Sequence, residues 1–293
     1  MIKIAHIINP VAVKESSDLF VAQPVTFSTM RQSQSFAKAQ GLDVQLFSTC
    51  YPEDLSVSPE GFEKTPNLEK SVLDYGDFEV ARKLPVLRDI LDRLNEMTSA
   101  DYLIYTNVDI SVLPNFYLSV AGLINKGYDA FVINRRTISS QFSNTEDIPL
   151  MCSEVGQKHK GHDCFVFRRD AYNHYSLGSS CIGASLVGKI LLTNLICNAN
   201  KFEEFKDFHL TFHIGNDRVW DESKLQDYSL HNLKEFQKVV KDYQEVGRLK
   251  DHPLISKSLR NIDNVDYWLG EKSSQSRKTR VIGKIRQVLQ RFR

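Results

Sequence analysis

The stretch YLIYTNVDISVLPNFYLSVAGLINKGYDAFVIN, residues 102–134, sets the fold class of this chain. Apolar residues at 102–105 predict a strand, the segment from Pro114 to Lys126 predicts a helix that ends before Gly127, and 128–134 predict a second strand. A strand, a helix and a strand in this order form a βαβ unit. We therefore expect two parallel strands joined by a right-handed crossover.

The same alternation of elements continues on both sides of this unit. Strands are predicted at 2–8, 43–47, 164–167 and 210–214; helices at 27–40, 84–94, 182–197 and 233–246; and a long loop at 51–76. The pattern indicates an α/β protein with a mostly parallel sheet flanked by helices. In such sheets, ligands bind beyond the carboxyl ends of the strands.

Composition narrows the class of protein. The 293 residues include 37 Lys+Arg and 36 Asp+Glu, and this near-neutral balance argues against nucleic acid as a partner. No apolar run is long enough for a membrane-spanning helix, and the amino-terminal segment is too short and interrupted for a secretion signal. The five cysteines are scattered and odd in number, which favours a reducing, cytoplasmic setting.

The carboxyl-terminal tail, residues 272–293, differs in charge from the rest of the chain. It carries eight basic residues and no acidic one, whereas residues 1–271 have a net charge of −7. Apolar residues recur at helical spacing between its basic ones, so the tail is predicted to be a short basic amphipathic helix. It would bind an anionic membrane surface on the inner face of the cell membrane, or else dock on the acidic body.

A polar pair follows the first strand of the central βαβ unit. Asn107 and Asp109 are two residues apart in an extended segment, so their side chains face the same way at the carboxyl end of that strand. Oxygen ligands of this kind suit Mg²⁺ or Mn²⁺, which can neutralise a departing diphosphate. The competing interpretation is structural, with Asp109 capping the turn and Asn107 bonded to the backbone.

Residues 100–109, ADYLIYTNVD, resemble the DXD region of GT-A-fold glycosyltransferases, which use nucleotide-sugar donors. The resemblance extends over residues 1–220 and implies a GT-A-like, Rossmann-related fold. It implies that Asp109, Asn107 and His213, in the late strand LTFHIGND, hold Mn²⁺ or Mg²⁺. Asn107 departs from the pattern, because the family most often has Asp there; the amide keeps an oxygen but loses a charge.

The resemblance suggests two residues for the nucleotide, and position at strand ends adds candidates for the phosphate and the acceptor; the competing interpretation of the polar segment before residue 164 is a solvated loop whose Asp bonds neighbouring amides. Asn9, at the end of the first strand, and Arg31, on the following helix, would seat the nucleotide. Arg135 follows a strand and would contact a phosphate. In the polar loop before residue 164, Asp163 would take the proton from an acceptor hydroxyl and His162 would orient that hydroxyl. Asp217 and Asp221 are secondary candidates.

The expected function is transfer of a sugar from a nucleotide-diphosphate sugar to a hydroxyl acceptor on a surface polysaccharide or lipid-linked glycan. We expect a catalytic domain at 1–220, a helical segment at 221–270 and the basic tail at 271–293. One alternative is a non-catalytic GT-A-like scaffold. A nucleotidyltransferase is disfavoured, because residues 10–23 contain no glycine for the phosphate-binding loop that such enzymes carry.

Overall fold

The computed structural model describes residues 2–215 and 225–270. The strands are β1 (Lys3–Ile8), β2 (Asp43–Ser48), β3 (Glu63–Lys64), β4 (Tyr102–Thr106), β5 (Ser111–Val112), β6 (Ala130–Ile133), β7 (Arg136–Ile138), β8 (Gln157–Lys158), β9 (Cys164–Arg168), β10 (Phe202–Phe205) and β11 (Thr211–Ile214). The helices are α1 (Leu19–Ala39), α2 (Leu87–Met97), α3 (Phe116–Asn125), α4 (Ile148–Ser153), α5 (Arg169–Tyr172), α6 (Val187–Asn198), α7 (Gln226–Glu245), α8 (Pro253–Arg260) and α9 (Val265–Gly270).

Seven strands form the central sheet in the order β10-β6-β9-β4-β1-β2-β3. Every neighbouring pair is parallel except the two pairs that contain β9, which runs antiparallel to both β4 and β6. The predicted α/β fold, a mostly parallel sheet flanked by helices, is confirmed. The strands β4 and β6 are parallel as expected, but β9 lies between them because its apolar residues pair with both.

Helices cover both faces of this sheet. On one face, α1 and α3 pack over Ile4, Ile8 and Ile104, and these elements share one hydrophobic core cluster. On the other face, α2 packs on β1 and β4, while α6 packs on β6 and β9 and is itself covered by α7. The middle strands are consequently buried along their whole length, which explains their continuous apolar runs.

A second, four-stranded sheet has the order β5-β11-β7-β8. The late strand β11 belongs to this small sheet, where it pairs antiparallel with β5 and parallel with β7. Since β5 follows β4 closely in the chain and β7 follows β6, the small sheet is attached to the carboxyl edge of the large one. It therefore brings β11 to the edge at which ligands are expected.

Several helix starts differ from the sequence predictions, including α6, which begins at Val187 instead of 182, and α7, which begins at Gln226 instead of 233. Helix α1 begins at Leu19, before the predicted residue 27, and contains Pro24 in its second turn, where proline lacks the N–H of one helical hydrogen bond. Helix α2 begins at Leu87, later than predicted. Its preceding residue, Val86, is extended and forms a β-bridge with Cys181, which prevents the helix from starting at Pro85.

The chain divides into two compact units, Met1–Lys250 and Asp251–Arg293. Helix α7 belongs to the first unit, and the boundary predicted near residue 220 falls in 216–224, outside the described residues. In the second unit the indole N–H of Trp268 donates to the Asn261 carbonyl at 2.8 Å, which links α9 to the end of α8. The predicted tail 271–293 also lies outside the described residues.

Candidate active site

Polar residues from distant parts of the sequence lie together at the carboxyl edge of the central sheet. Asn9 follows β1, Asn107 follows β4 and Arg135 follows β6. Asp163 joins them because β9 is antiparallel: Cys164, its first residue, pairs with Thr106, the last residue of β4. The sheet topology thus assembles candidate residues that the sequence separates by up to 154 positions.

The most notable contact at this edge joins Asp109 and His213. The imidazole Nε2 of His213 lies 3.2 Å from Oδ2 of Asp109, and its Nδ1 lies 3.0 Å from the carbonyl oxygen of Gly215. Because a carbonyl only accepts hydrogen bonds, we assign the proton to Nδ1. Nε2 is then the ring nitrogen that faces the carboxylate, and a proton or a cation between Nε2 and Oδ2 would join them.

The other carboxylate oxygen of Asp109, Oδ1, is buried and has no hydrogen-bond partner in the described part of the chain. A buried carboxylate oxygen without a partner is unfavourable. Together with the imidazole lone pair, it forms an oxygen and nitrogen donor set that fits Mn²⁺ or Mg²⁺. Within residues 2–215 and 225–270, no group of three or more His, Cys, Asp or Glu side chains is arranged to hold a metal ion.

Asn107, the third expected metal ligand, is exposed and its amide oxygen is already used. The hydroxyl of Tyr105 donates to Oδ1 of Asn107 at 3.1 Å. Burial raises the pKa of Tyr105, and the carboxylates of Asp109 and Asp163 raise it further, so the phenol keeps its proton. Tyr105 is a site residue that sequence reasoning missed, although it lies two residues before Asn107 and therefore on the same side of the strand.

Asp163 lies in a buried ion pair. Its Oδ2 is 3.3 Å from Nη1 of Arg135 and 3.6 Å from Nδ1 of His159. The side chain of Arg135 is 4% exposed and that of Asp163 is 12% exposed, so solvent screens the pair weakly. The expected phosphate-binding cation and the expected general base are therefore paired with each other.

His162 is held by a carboxylate from β10. Its Nε2 lies 3.0 Å from Oε1 of Glu204, which also accepts from the amide of Asn134, while the ammonium of Lys206 lies 3.0 Å from Oε2. Burial lowers the pKa of His162 and Lys189 lowers it further, against the opposing effect of Glu204. Burial raises the pKa of Glu204, but the hydrogen bonds from Lys206, Asn134 and His162 outweigh burial, so its pKa is below the usual value.

Glu204 is the second site residue that sequence reasoning missed. Its strand, Phe202–Phe205, has two adjacent glutamates in the middle and was therefore not recognised as part of the sheet. Each side of this strand carries one Phe and one Glu, so the segment lacks the apolar/polar alternation that predicts a strand. Only the pairing of β10 with β6 brings Glu204 to the polar edge.

The two residues expected to seat the nucleotide make hydrogen bonds within the protein. The Asn9 amide donates to the carbonyl oxygen of Thr49 at 2.6 Å, which joins the ends of β1 and β2. The Arg31 guanidinium donates to the carbonyl oxygen of Glu60 at 3.0 Å, in the loop between β2 and β3. The two secondary candidates, Asp217 and Asp221, lie outside the described residues.

The fold and this polar edge define an α/β protein with a mostly parallel sheet and a candidate site at the carboxyl end of that sheet. Comparisons with protein-family models and with the sequences of curated proteins find no match. None of the helices in residues 2–215 and 225–270 is both long and apolar enough to span a bilayer.

The chain is distantly similar to several solved structures. It resembles S. aureus TarS 1–349 in complex with UDP-GlcNAc, at 7% identity and a TM-score of 0.46, over 83% of this chain and 72% of that chain. It resembles the catalytic domain of Drosophila beta1,4-galactosyltransferase 7, at 13% identity and a TM-score of 0.40, over 75% of this chain and 74% of that chain. It also resembles the bifunctional IspDF of Campylobacter jejuni, at 9% identity and a TM-score of 0.38, over 70% of this chain and 49% of that chain. Likenesses this distant do not assign a function to the chain.

Proposed function

We propose that this protein is a glycosyltransferase that moves a sugar from a nucleotide-diphosphate sugar to a hydroxyl acceptor. The observation that carries the proposal is the contact between Asp109 and His213, with a second, unpartnered carboxylate oxygen beside it. This donor set lies beyond the end of a central strand, where α/β sheets bind their ligands. The sequence around Asp109 resembles the DXD region of GT-A enzymes.

A divalent metal, Mn²⁺ or Mg²⁺, would be held by Asp109 and His213, with Asn107 at its side. When bound there, such a cation stabilises negative charge on a departing diphosphate. Tyr105 fixes the orientation of Asn107 through its hydrogen bond. Asn9 and Arg31 are proposed to border the nucleotide, because they lie at the end of β1 and on the helix that follows it.

On the acceptor side, we propose that Asp163 takes the proton from the attacking hydroxyl and that His162 orients this hydroxyl. The support is their place in one loop at the mouth of β9, beside the end of β4. Arg135 holds the carboxylate of Asp163 and adds positive charge near a diphosphate. Glu204 holds the imidazole of His162 in one orientation.

The acceptor is proposed to be a glycan of a surface polysaccharide or a lipid-linked oligosaccharide. The basic tail, which follows a catalytic domain at 1–220 and a helical segment at 221–270, would bring the enzyme to the inner face of the membrane. The support is the charge pattern: eight basic residues and no acidic one between residues 272 and 293.

Titration calorimetry tests the proposal directly. The full chain is titrated with UDP, GDP, dTDP and CDP, each with Mn²⁺, with Mg²⁺ and with EDTA. We expect one diphosphate to bind only when the metal is present, and Asp109→Ala to abolish this binding. If no diphosphate binds under any metal condition, the chain is instead a non-catalytic GT-A-like scaffold, an alternative favoured by the engaged amide of Asn107.

A further inference from the structure

A cavity of about 310 Å³ lies in the first compact unit, apart from the carboxyl-edge residues described above. Its walls are the loop at 75–78, which precedes α2, and one side of helix α7. The volume is at the lower end of the range for small-molecule sites, roughly 300–1,000 Å³. We call this cavity the α7 pocket.

One wall of the α7 pocket is an aromatic ring held in a fixed position. Phe78 is half-buried and stacks on Tyr228, with ring centroids 4.0 Å apart and an interplanar angle of 5°. Tyr228 is buried, and its hydroxyl accepts from the Arg82 amide and donates to the Val80 carbonyl, each at 2.7 Å. The loop and α7 thus hold the ring of Phe78 before any ligand arrives.

Gly76 lines the pocket beside this ring and contributes no side chain there. A Cβ atom at Gly76 would lie 3.4 Å from Cζ of Phe78 and 3.5 Å from Nδ1 of His231. Any larger side chain would fill the space between the two rings. Tyr75, at the mouth, is 36% exposed and adds a second aromatic surface.

Hydrogen-bond donors and acceptors both surround the aromatic wall. Nε2 of His231 lies 3.0 Å from the Ser179 carbonyl, to which it donates, so Nδ1 is an acceptor on the side of Gly76. Lys234 offers exposed donors and Asp77 exposed acceptors. Lys238 is paired with Glu235, whose other oxygen accepts from the Ser179 amide.

The aromatic wall and the polar groups around it together indicate which kind of ligand the pocket can bind. The pocket has two lysines against Asp77, Asp227 and Glu235, so it does not favour a phosphate or another anion. An aromatic face with acceptors and donors around it suits a molecule that has an apolar C–H face and a rim of hydroxyls. A neutral saccharide is such a molecule. The geometry points to the α7 pocket as a saccharide-binding site that holds a part of the acceptor glycan remote from the reacting hydroxyl.

The assignment of the saccharide to the acceptor rests on the proposed function, whereas saccharide binding itself does not.

A physical connection links the pocket to the candidate active site. Ser179 is held by both Glu235 and His231, and the chain from Ser179 leads into α6. In the first turn of α6, a Cβ at Gly188 would lie 3.5 Å from the carbonyl oxygen of His162. The first turn of α6 thus lies against the backbone of the segment that carries His162.

Saturation-transfer NMR on the full chain tests the proposal, with maltohexaose, cellohexaose and chitohexaose as probes at millimolar concentration. We expect at least one of them to bind, and Phe78→Ala and Lys234→Ala each to weaken binding, the former on the order of tenfold. Phe36→Ala and Lys241→Ala are matched controls, because Phe36 is 45% exposed on α1 and Lys241 is exposed on α7 outside the pocket. Both controls are expected to bind as the unchanged protein does.

Two results would overturn the saccharide site: none of the three probes binds, or binding is the same in Phe78→Ala, Lys234→Ala and the controls. Circular dichroism of each variant identifies any that fails to fold, and Lys234→Ala, an exposed position, keeps the test valid if Phe78→Ala unfolds. Asp109→Ala separates the two proposals. It is expected to lose metal-dependent nucleotide binding and to keep saccharide binding, so either can fail without the other.

Discussion

His213 and Asp109, 104 residues apart in the chain, are in contact at the edge of the sheet, with 3.2 Å between Nε2 and Oδ2. The contact depends on the small sheet, in which Phe212, the residue before His213, pairs with Ser111, two residues after Asp109. Backbone hydrogen bonds between β5 and β11 therefore hold the two side chains together, independently of any ligand.

His213→Ala is expected to weaken metal-dependent nucleotide binding at least tenfold and to leave folding intact, because the imidazole is one of two proposed protein ligands. Calorimetry with Mn²⁺ and the diphosphate that binds the unchanged protein measures the effect. The control is His174→Ala. His174 is exposed and follows α5, at the opposite end of β9 from Asp163. Equal affinities in the two variants would remove His213 from the metal site.

Glu204→Ala is expected to lower the free energy of unfolding by about 1–3 kcal/mol, because His162, Asn134 and Lys206 would each lose a hydrogen-bond or ion-pair partner. Urea unfolding followed by circular dichroism measures this. Glu203→Ala is the matched control: it is the exposed neighbour on the same strand and should change stability by no more than about 0.5 kcal/mol. Similar losses in both variants would contradict the buried role of Glu204.

The stability of the protein is expected to fall in acid partly because of His6. This side chain is completely buried in β1, with Nδ1 2.9 Å from the Tyr117 hydroxyl and Nε2 2.9 Å from the Thr106 hydroxyl. Burial lowers its pKa to about 3. The unfolded chain, with a pKa near the ordinary value of about 6.5, takes up a proton below that pH while the folded chain does not.

The His6 contribution is thus complete above about pH 6.5 and decreases by about 1.4 kcal/mol per pH unit below it, down to pH 3. Urea unfolding between pH 7 and pH 4 measures the slope. His6→Asn removes the titrating group and should give a shallower decrease over this range, whatever its stability at pH 7. An unchanged slope would show that His6 is protonated in the folded protein.

Gly178→Ala is expected to destabilise the protein more than Gly247→Ala. Both glycines have positive φ angles, +58° and +65°, so alanine is strained at either position by roughly 1–2 kcal/mol. A Cβ at Gly178 would in addition lie 2.2 Å from Oε2 of Glu235, whereas at Gly247 it would meet no described atom within 4 Å. Thermal unfolding compares the destabilisation of the two variants. Equal unfolding temperatures would mean that the Glu235 side chain moves away from the added Cβ without measurable loss of stability.

Replacing the eight basic residues of 272–293 by Gln is expected to abolish binding to vesicles of phosphatidylglycerol and phosphatidylcholine. Each basic residue near an anionic surface contributes on the order of 1 kcal/mol, and salt screens this attraction. Flotation of both proteins with these vesicles, at low and high salt, measures it. Vesicles of phosphatidylcholine alone are the control. If the unchanged protein does not float with anionic vesicles, the tail has another function.

Most strands and helices of the large sheet could be predicted from local patterns, because a buried strand such as Lys3–Ile8 is mostly apolar and a surface helix such as Leu87–Met97 has an apolar stripe. The same patterns located Asp109 and His213 at strand ends. What local patterns could not reveal is which strands are neighbours. The insertion of β9 between β4 and β6 depends on pairing between segments far apart in the chain.

That pairing also controls what each candidate side chain contacts. It brings Glu204 to His162 and Arg135 to Asp163. None of these contacts follows from residue type or spacing, since each donor has several acceptors within reach of its position in the sequence. Residue chemistry and local periodicity are properties of short segments, whereas the partner of a buried polar group depends on the packing of the whole sheet and its helices.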